Sequence, residues 1–145
     1  MVIEGTAYWA FIKEPNVKFA PKYTIDVVVD DEKAQDLKDQ GYSIMDKGNG
    51  PVVIIKRNVN GPDGMIRSAP MLMDAKKEPL DVKVGNGSKV KVQAKPWEST
   101  YNGQHFQGLD LQKVQVLKLV EYVAPPTEND ELIVESVDEE ELDEL

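Results

Sequence analysis

The chain has 145 residues, no cysteine, and 26 acidic against 17 basic residues, for a net charge of -9. That length suits one domain with a real core plus an appendage, and the lack of cysteine removes a disulfide framework, a thiolate metal site and a thiol nucleophile. No window is apolar for the length of a membrane span, and the N-terminus, MVIEGTAYWAFIKE, lacks a basic stretch leading into an unbroken apolar one, so neither membrane embedding nor export by a recognisable signal is expected.

The first predicted element is a strand over Val2 to Lys13, with Gly5 as a place to bend and the aromatics Tyr8, Trp9 and Phe11 on both parities, so that one face is read as core and the other as surface. A proline-bracketed loop, Glu14 to Pro21, carries Lys18 and Phe19. Lys22 to Val29 then alternates, with Tyr23, Ile25, Val27 and Val29 apolar and Lys22, Thr24 and Asp26 polar. Asp30 or Asp31 can cap a short helix that runs to about Gln40, with Ala34 and Leu37 as its apolar stripe and Gly41 as its stop. After the turn at Gly48 to Pro51, Val52 to Val59 is rich in β-branched residues and ends in Lys56 and Arg57. Asn60 to Asp74 has turn chemistry and no clear period, and reads as a long loop over the body; Leu80 to Val84 is a short element.

From Lys89 the chain alternates strictly. Val90, Val92 and Ala94 lie on one parity, and Lys89, Lys91, Gln93, Lys95 and Trp97 on the other, which makes a half-buried strand with a basic outer face ending in an indole. Lysines two residues apart on a strand are roughly 6 to 7 Å from one another, close to the repeat of a nucleic-acid backbone, and the indole offers a base a stacking platform. The competing reading is that the lysines only protect a solvent-facing strand from aggregation. Asn102-Gly103 marks a hairpin turn, and Leu109 to Val123 is a long strand whose apolar parity shifts between Leu111 and Val114, as a bulge near Gln112 produces. Five strands and one short helix favour an all-β fold, a five-stranded Greek-key barrel of the OB type, over a two-layer sandwich.

Beyond Pro125 and Pro126 the composition changes. Ten acids and no basic residue lie between Glu128 and Leu145, which leaves 16 acids against all 17 Lys and Arg in the first 127 residues. The domain boundary therefore falls between a binding body at 1–124, about +1, and a disordered acidic tail at 125–145, an asymmetry that points to a nucleic-acid or surface partner for the body. Leu132, Ile133, Val134, Val137, Leu142 and Leu145 interrupt the acids, which suits docking into a basic groove with an apolar pocket or competition for the body's own binding face; the alternative is a solubilising tail.

Two motifs carry no enzymatic chemistry. Gly85-Asn86-Gly87-Ser88-Lys89 lacks the spacing of a phosphate loop and precedes a strand, so its glycines read as a tight turn. His105 is the one histidine and has no clustered ligands, so no metal and no cofactor is expected, and no catalytic constellation is found. No basic helix is available to read a duplex. Of Tyr8, Trp9, Phe11, Tyr23, Trp97, Tyr101 and Phe106 about half are expected to be core, with Trp97, Tyr101 and Phe106 the ones expected to be exposed.

The run Gly87-Ser88-Lys89-Val90-Lys91-Val92, then Pro96-Trp97, then the segment from Leu111 to Glu121 with an acidic tail behind it, resembles the single-stranded DNA-binding proteins of T-seven-like podophages. The resemblance implies an OB-fold that coats single-stranded DNA in replication and recombination, in the cytoplasm of an infected bacterial host. It also implies a tail that contacts the replisome's DNA polymerase and helicase-primase and supports a homodimer, and it places Lys89, Lys91, Trp97 and Tyr101 on the binding surface. The chain ends in Leu145 where that family carries phenylalanine. The reading is thus a non-enzymatic, sequence-independent binder of single strands. Lys13, Lys18, Lys56, Arg57, Lys89, Lys91 and Lys95 neutralise phosphates, and Trp9, Trp97, Tyr101 and Phe106 stack on bases. Asp138, Glu139, Glu140, Glu141, Leu142, Asp143, Glu144 and Leu145 form the partner-binding end of the tail. The alternative is an adaptor that acts through the tail without binding DNA.

Overall fold

A computed structural model describes residues 1–61 and 63–122. Five strands close a barrel in the spatial order β1 (Val2–Asn16), β2 (Lys22–Val28), β4 (Pro51–Asn58), β7 (Gln104–Lys118), β6 (Ser88–Tyr101) and back to β1. All neighbours are antiparallel except β4 and β7, which meet in parallel where Lys56 stands opposite Asp110. This is the OB arrangement, as the strand pattern predicts. The expected domain boundary at 124/125, the acidic tail and the tail residues named above lie outside the described residues.

β1 belongs to two ladders at once, with Gly5 opposite Val90 of β6 and Thr6 opposite both Lys89 of β6 and Val28 of β2. A Cβ on Gly5 would stand 2.1 Å from the Val28 carbonyl oxygen, so only glycine lets the backbones approach closely enough to turn this corner. The helix α1 (Asp31–Asp39) starts where the Asp30 carboxylate accepts the Lys33 amide at 2.7 Å, and its buried Ala34 and Leu37 cover the barrel interior. Gly41, at φ 94, ends the helical course.

β6 and β7 form a long hairpin from Lys89 opposite Lys118 to Tyr101 opposite Gln104. Asn102 and Gly103 both have positive φ, 52 and 78, the requirement of a type I′ turn that matches strand twist. Gln93 faces Lys113 while Ala94 faces Leu111, so Gln112 is the extra residue of a bulge, where the parity shift placed it.

The interior is aliphatic: Ile3, Ile25, Val27, Ile55, Val90, Val92, Leu111 and Val114 are essentially inaccessible. Here two expectations are corrected. The core takes only Tyr23 rather than about half of the aromatics, and Trp9 and Phe11, which share one parity of β1, are exposed, because a narrow five-stranded barrel is filled by branched side chains of intermediate volume. The 60–74 stretch is also more than a loop. Asn60 bridges Ile66 and the Arg67 amide donates to the Val59 carbonyl at 2.7 Å, which makes a small hairpin, and β5 (Met71–Met73) then pairs in parallel with β7. The Leu80 to Val84 stretch contributes one bridge, Val84 to Glu121. The short strand β3 (Met45–Asp46) edges β4.

Candidate nucleic-acid interface

Strand register brings distant residues into one line on the outside of the barrel. Lys95 stands opposite Asp110, Asp110 opposite Lys56, Lys56 opposite Thr24, and Thr24 opposite Phe11. The row crosses all five barrel strands, and at the usual inter-strand spacing it is about 19 Å long. One step along the strands, Lys22 lies opposite Asn58 and Asn16, and adds a cation beside the row. The loop 17–21 that follows β1 exposes Phe19, with the Lys18 ammonium 5.9 Å from its ring centroid.

At the middle of the row two arginines share one carboxylate. Arg57 Nη1 donates to Asp110 Oδ2 at 2.6 Å, and Arg67 Nη2 donates to the same oxygen at 2.9 Å. Arg57 Nε also donates to the Ser68 carbonyl at 2.8 Å, so the 59–67 hairpin is tied to β4 by this cluster. One buried anion thus holds two guanidiniums, and together with Lys56 and Lys95 the local balance is positive although the body as a whole is close to neutral.

The β6–β7 hairpin projects beyond the row with two unlike faces. Trp97 opposite Gly108, Ser99 opposite Phe106 and Tyr101 opposite Gln104 continue the face of Lys95. Trp97, Tyr101 and Phe106 are 42%, 68% and 44% exposed, as the sequence predicts. The Trp97 indole lies on the Gly108 backbone, since a Cβ there would sit 2.7 Å from Cζ2 and 2.9 Å from Nε1. On the other face Gln107 Nε2 donates to the Gln40 carbonyl at 2.8 Å, which fixes the hairpin to the end of α1. His105 Nε2 lies 3.2 Å from Gln107 Oε1 and 3.3 Å from Glu98 Oε1, an exposed hairpin histidine among polar neighbours. Among the described residues no group of His, Asp and Glu is arranged to hold a metal.

The structure therefore divides the sequence-derived set. Lys56, Arg57, Lys95, Trp97, Tyr101 and Phe106 share the row and its hairpin, with Lys18 on the adjoining loop. Lys89 and Lys91 lie toward the far end of β6, about 13 to 20 Å along the strand from Lys95. There Lys89 Nζ donates to Thr6 Oγ1 at 2.8 Å, and Lys91 Nζ is 3.9 Å from Glu4. Trp9 and Lys13 flank Phe11 on β1, beside the irregularity at the end of the row, and Lys13 is engaged by Asp81. That ammonium holds the Asp81 carboxyl below the usual carboxylate range, by its hydrogen bond first and its charge second. Phe11, Lys22 and Arg67 were missed. The parity of β2 could have supplied Lys22, but the position of Arg67 depends on a hairpin that has no periodic signal.

No family model and no curated protein matches the sequence. Solved structures do match its fold. The chain is similar to the single-stranded DNA-binding protein gp2.5 of bacteriophage T7, with a TM-score of 0.65 and 17% identity over 83% of this chain and 92% of that one. It is also similar to a C-terminal truncation of the single-stranded DNA-binding protein of bacteriophage Enc34, with a TM-score of 0.59 and 14% identity over 83% and 86% of the two chains. The Enc34 protein in complex with single-stranded DNA gives 0.60 and 13% over 84% and 87%. At these identities the likeness is one of fold, and it agrees with the resemblance read from the sequence.

Proposed function

We propose that the chain is a non-enzymatic, sequence-tolerant single-stranded DNA-binding protein of a phage replication system. The observation that carries this reading is the row Lys95–Asp110–Lys56–Thr24–Phe11, with Trp97, Tyr101 and Phe106 presented on the same face of the adjoining hairpin. Phosphates meet lysines and arginines along the row, and bases meet rings at its end, each stacked base contributing about 1 to 3 kcal/mol. The barrel face and hairpin are also where OB-folds in general bind oligonucleotides. A duplex, whose bases are already stacked on one another, gains nothing from the rings.

In this reading residues 1–124 are the binding domain and 125–145 the acidic tail. The tail, Asp138 to Leu145 above all, competes with DNA for the positive row and contacts replication proteins such as a polymerase or helicase-primase. A homodimer and action in the host cytoplasm complete the proposal. The acidic composition of the tail beside a locally basic row supports competition.

The test is fluorescence anisotropy of labelled oligo-dT and of its duplex across a salt series, with the full chain and a version ending at Pro126. Preference for the single strand, weakened by salt and strengthened by truncation, is expected. Equal weak binding to both DNAs would refute the single-strand reading, and no binding by either protein would leave the tail-borne adaptor in its place.

A further inference from the structure

Beside the far end of the row lies a cavity of about 530 Å³, lined among others by Trp9, Phe11, Lys13, Val82, Lys83 and Tyr122. Its volume falls within the range of small-molecule sites, about 300 to 1,000 Å³. Phe11 belongs both to this lining and to the row, so a strand that crosses the barrel over Lys56 arrives at the cavity mouth.

Trp9 is the unusual residue. It falls in the irregularity between Tyr8, opposite Asp26, and Phe11, opposite Thr24, and its φ of 50 is a backbone state rarely adopted by a bulky side chain. The Asn86 side chain accepts the Trp9 amide at 2.8 Å and holds it there. The indole is nevertheless 60% exposed, so the strained backbone does not serve to bury it. Across the cavity the Lys83 ammonium lies 5.1 Å from the Tyr122 ring centroid.

The charges at the rim decide between occupants. Lys13 and Lys83 are matched by Glu14 and Glu121, and Asp81 already engages Lys13. Such a rim neither attracts phosphate nor admits an acidic segment such as the tail. A flat, uncharged, aromatic group meets no such barrier and finds three rings. We infer that the cavity is a base-capture subsite, which takes one unstacked nucleobase of a single strand lying on the row. The inference rests on the proposed DNA-binding function. It assigns Tyr122, Phe11 and Trp9 to stacking and makes the subsite's contribution insensitive to salt, in contrast to the lysines of the row.

Two measurements on the full chain test this. Ultraviolet crosslinking to an oligo-dT carrying 5-iodouracil, followed by peptide mapping, is expected to give adducts at Trp9 or Tyr122 in addition to the rings of the β6–β7 hairpin. Adducts confined to the hairpin overturn the subsite and leave the DNA-binding function standing, whereas a protein that binds no oligo-dT at all overturns both. In the second measurement Tyr122→Leu and Trp9→Gly are each expected to weaken oligo-dT binding by about five- to twentyfold, by the same factor at low and high salt. Glycine accepts φ 50 without strain, so Trp9→Gly is also expected to keep or raise the thermal midpoint, whereas a purely structural tryptophan would lower it. Unchanged affinity in the folded variants, or a loss that disappears at high salt, overturns the inference.

Discussion

Asp110→Asn separates two roles of the central cluster because it moves stability and binding in opposite directions. The substitution keeps the shape of the side chain and leaves Arg57 and Arg67, at 2.6 and 2.9 Å, facing a neutral amide. Opposite charges about 4 Å apart attract by about 4 kcal/mol at an effective dielectric of 20, and burying a carboxylate that is 8% exposed offsets much of that gain. Removing one partner of a fully buried pair costs about 3 to 5 kcal/mol. The two arginine side chains keep 17% and 33% of their exposure, which lowers the expected loss to about 2 to 3 kcal/mol. The thermal midpoint should fall by about 3 to 5 °C per kcal/mol. At the same time the released arginines should raise affinity for oligo-dT by roughly two- to fivefold at low salt and steepen the salt dependence by about 0.7 for each phosphate gained. Differential scanning calorimetry and anisotropy give the two numbers. An unchanged midpoint refutes the buried-pair argument, and a fall in affinity at an unchanged salt slope shows that Asp110 aims the arginines rather than neutralising them.

Other substitutions probe the remaining parts. Lys56→Ala and Lys95→Ala should each reduce the slope of log affinity against log salt by about 0.7, whereas Lys91→Ala, close to Glu4 and away from the row, should change it by less than half as much; equal effects would move the binding face toward β1 and β6. Gly108→Ala puts a methyl within 2.7 Å of the Trp97 ring, so the indole must leave its seat. Stability should fall by about 1 to 3 kcal/mol, and quenching of tryptophan fluorescence by oligo-dT should weaken. Asp81→Asn releases Lys13 from its carboxylate. If Lys13 meets a phosphate, affinity rises by roughly twofold at low salt, and an unchanged affinity removes Lys13 from the DNA path.

Local chemistry made parts of this fold readable. The Asn102-Gly103 turn, the bulge at Gln112 and the alternation from Lys89 to Trp97 each depend on two to ten neighbouring residues, and each is where the pattern put it. The Asp30 cap and the buried Leu37 follow from the same kind of signal. What could not be read depends on long-range pairing. Arg57 and Arg67 meet Asp110 across 53 and 43 residues, and no spacing rule connects them. The 59–67 hairpin exposes Met65 and Ile66, so hydrophobicity there reports no core. The aromatics of β1 mislead for a related reason. A strand with rings on both parities normally buries one set, yet here Ile3, Ala7 and Ile12 face the core and the β1 irregularity turns Trp9 outward. The basic face of β6 was visible as a unit, but register alone shows that Lys95 is in the row while Lys89 and Lys91 are not.

The row also lies on the seam that closes the barrel. β1, β2 and β6 are joined by extended antiparallel ladders, but β4 and β7 meet in parallel at Lys56 and Asp110, and the arginine cluster reinforces the join. Among the pairings that close the barrel this parallel one is the shortest, and local opening of the barrel should begin there. A DNA strand lying across Lys56 and Lys95 would engage both sides of the seam, so binding and barrel closure reinforce each other. Global stabilisation by oligo-dT follows from mass action alone, about 2.7 kcal/mol at one hundred times Kd. The seam adds a spatial expectation, which amide hydrogen exchange can check. Saturating oligo-dT should slow exchange at 54–58 and 108–112 more than in the β1–β6 ladder. Uniform slowing would mean that DNA stabilises the barrel without closing it, and slowing centred on Lys89 and Lys91 would place the strand at the far end of β6, away from the row.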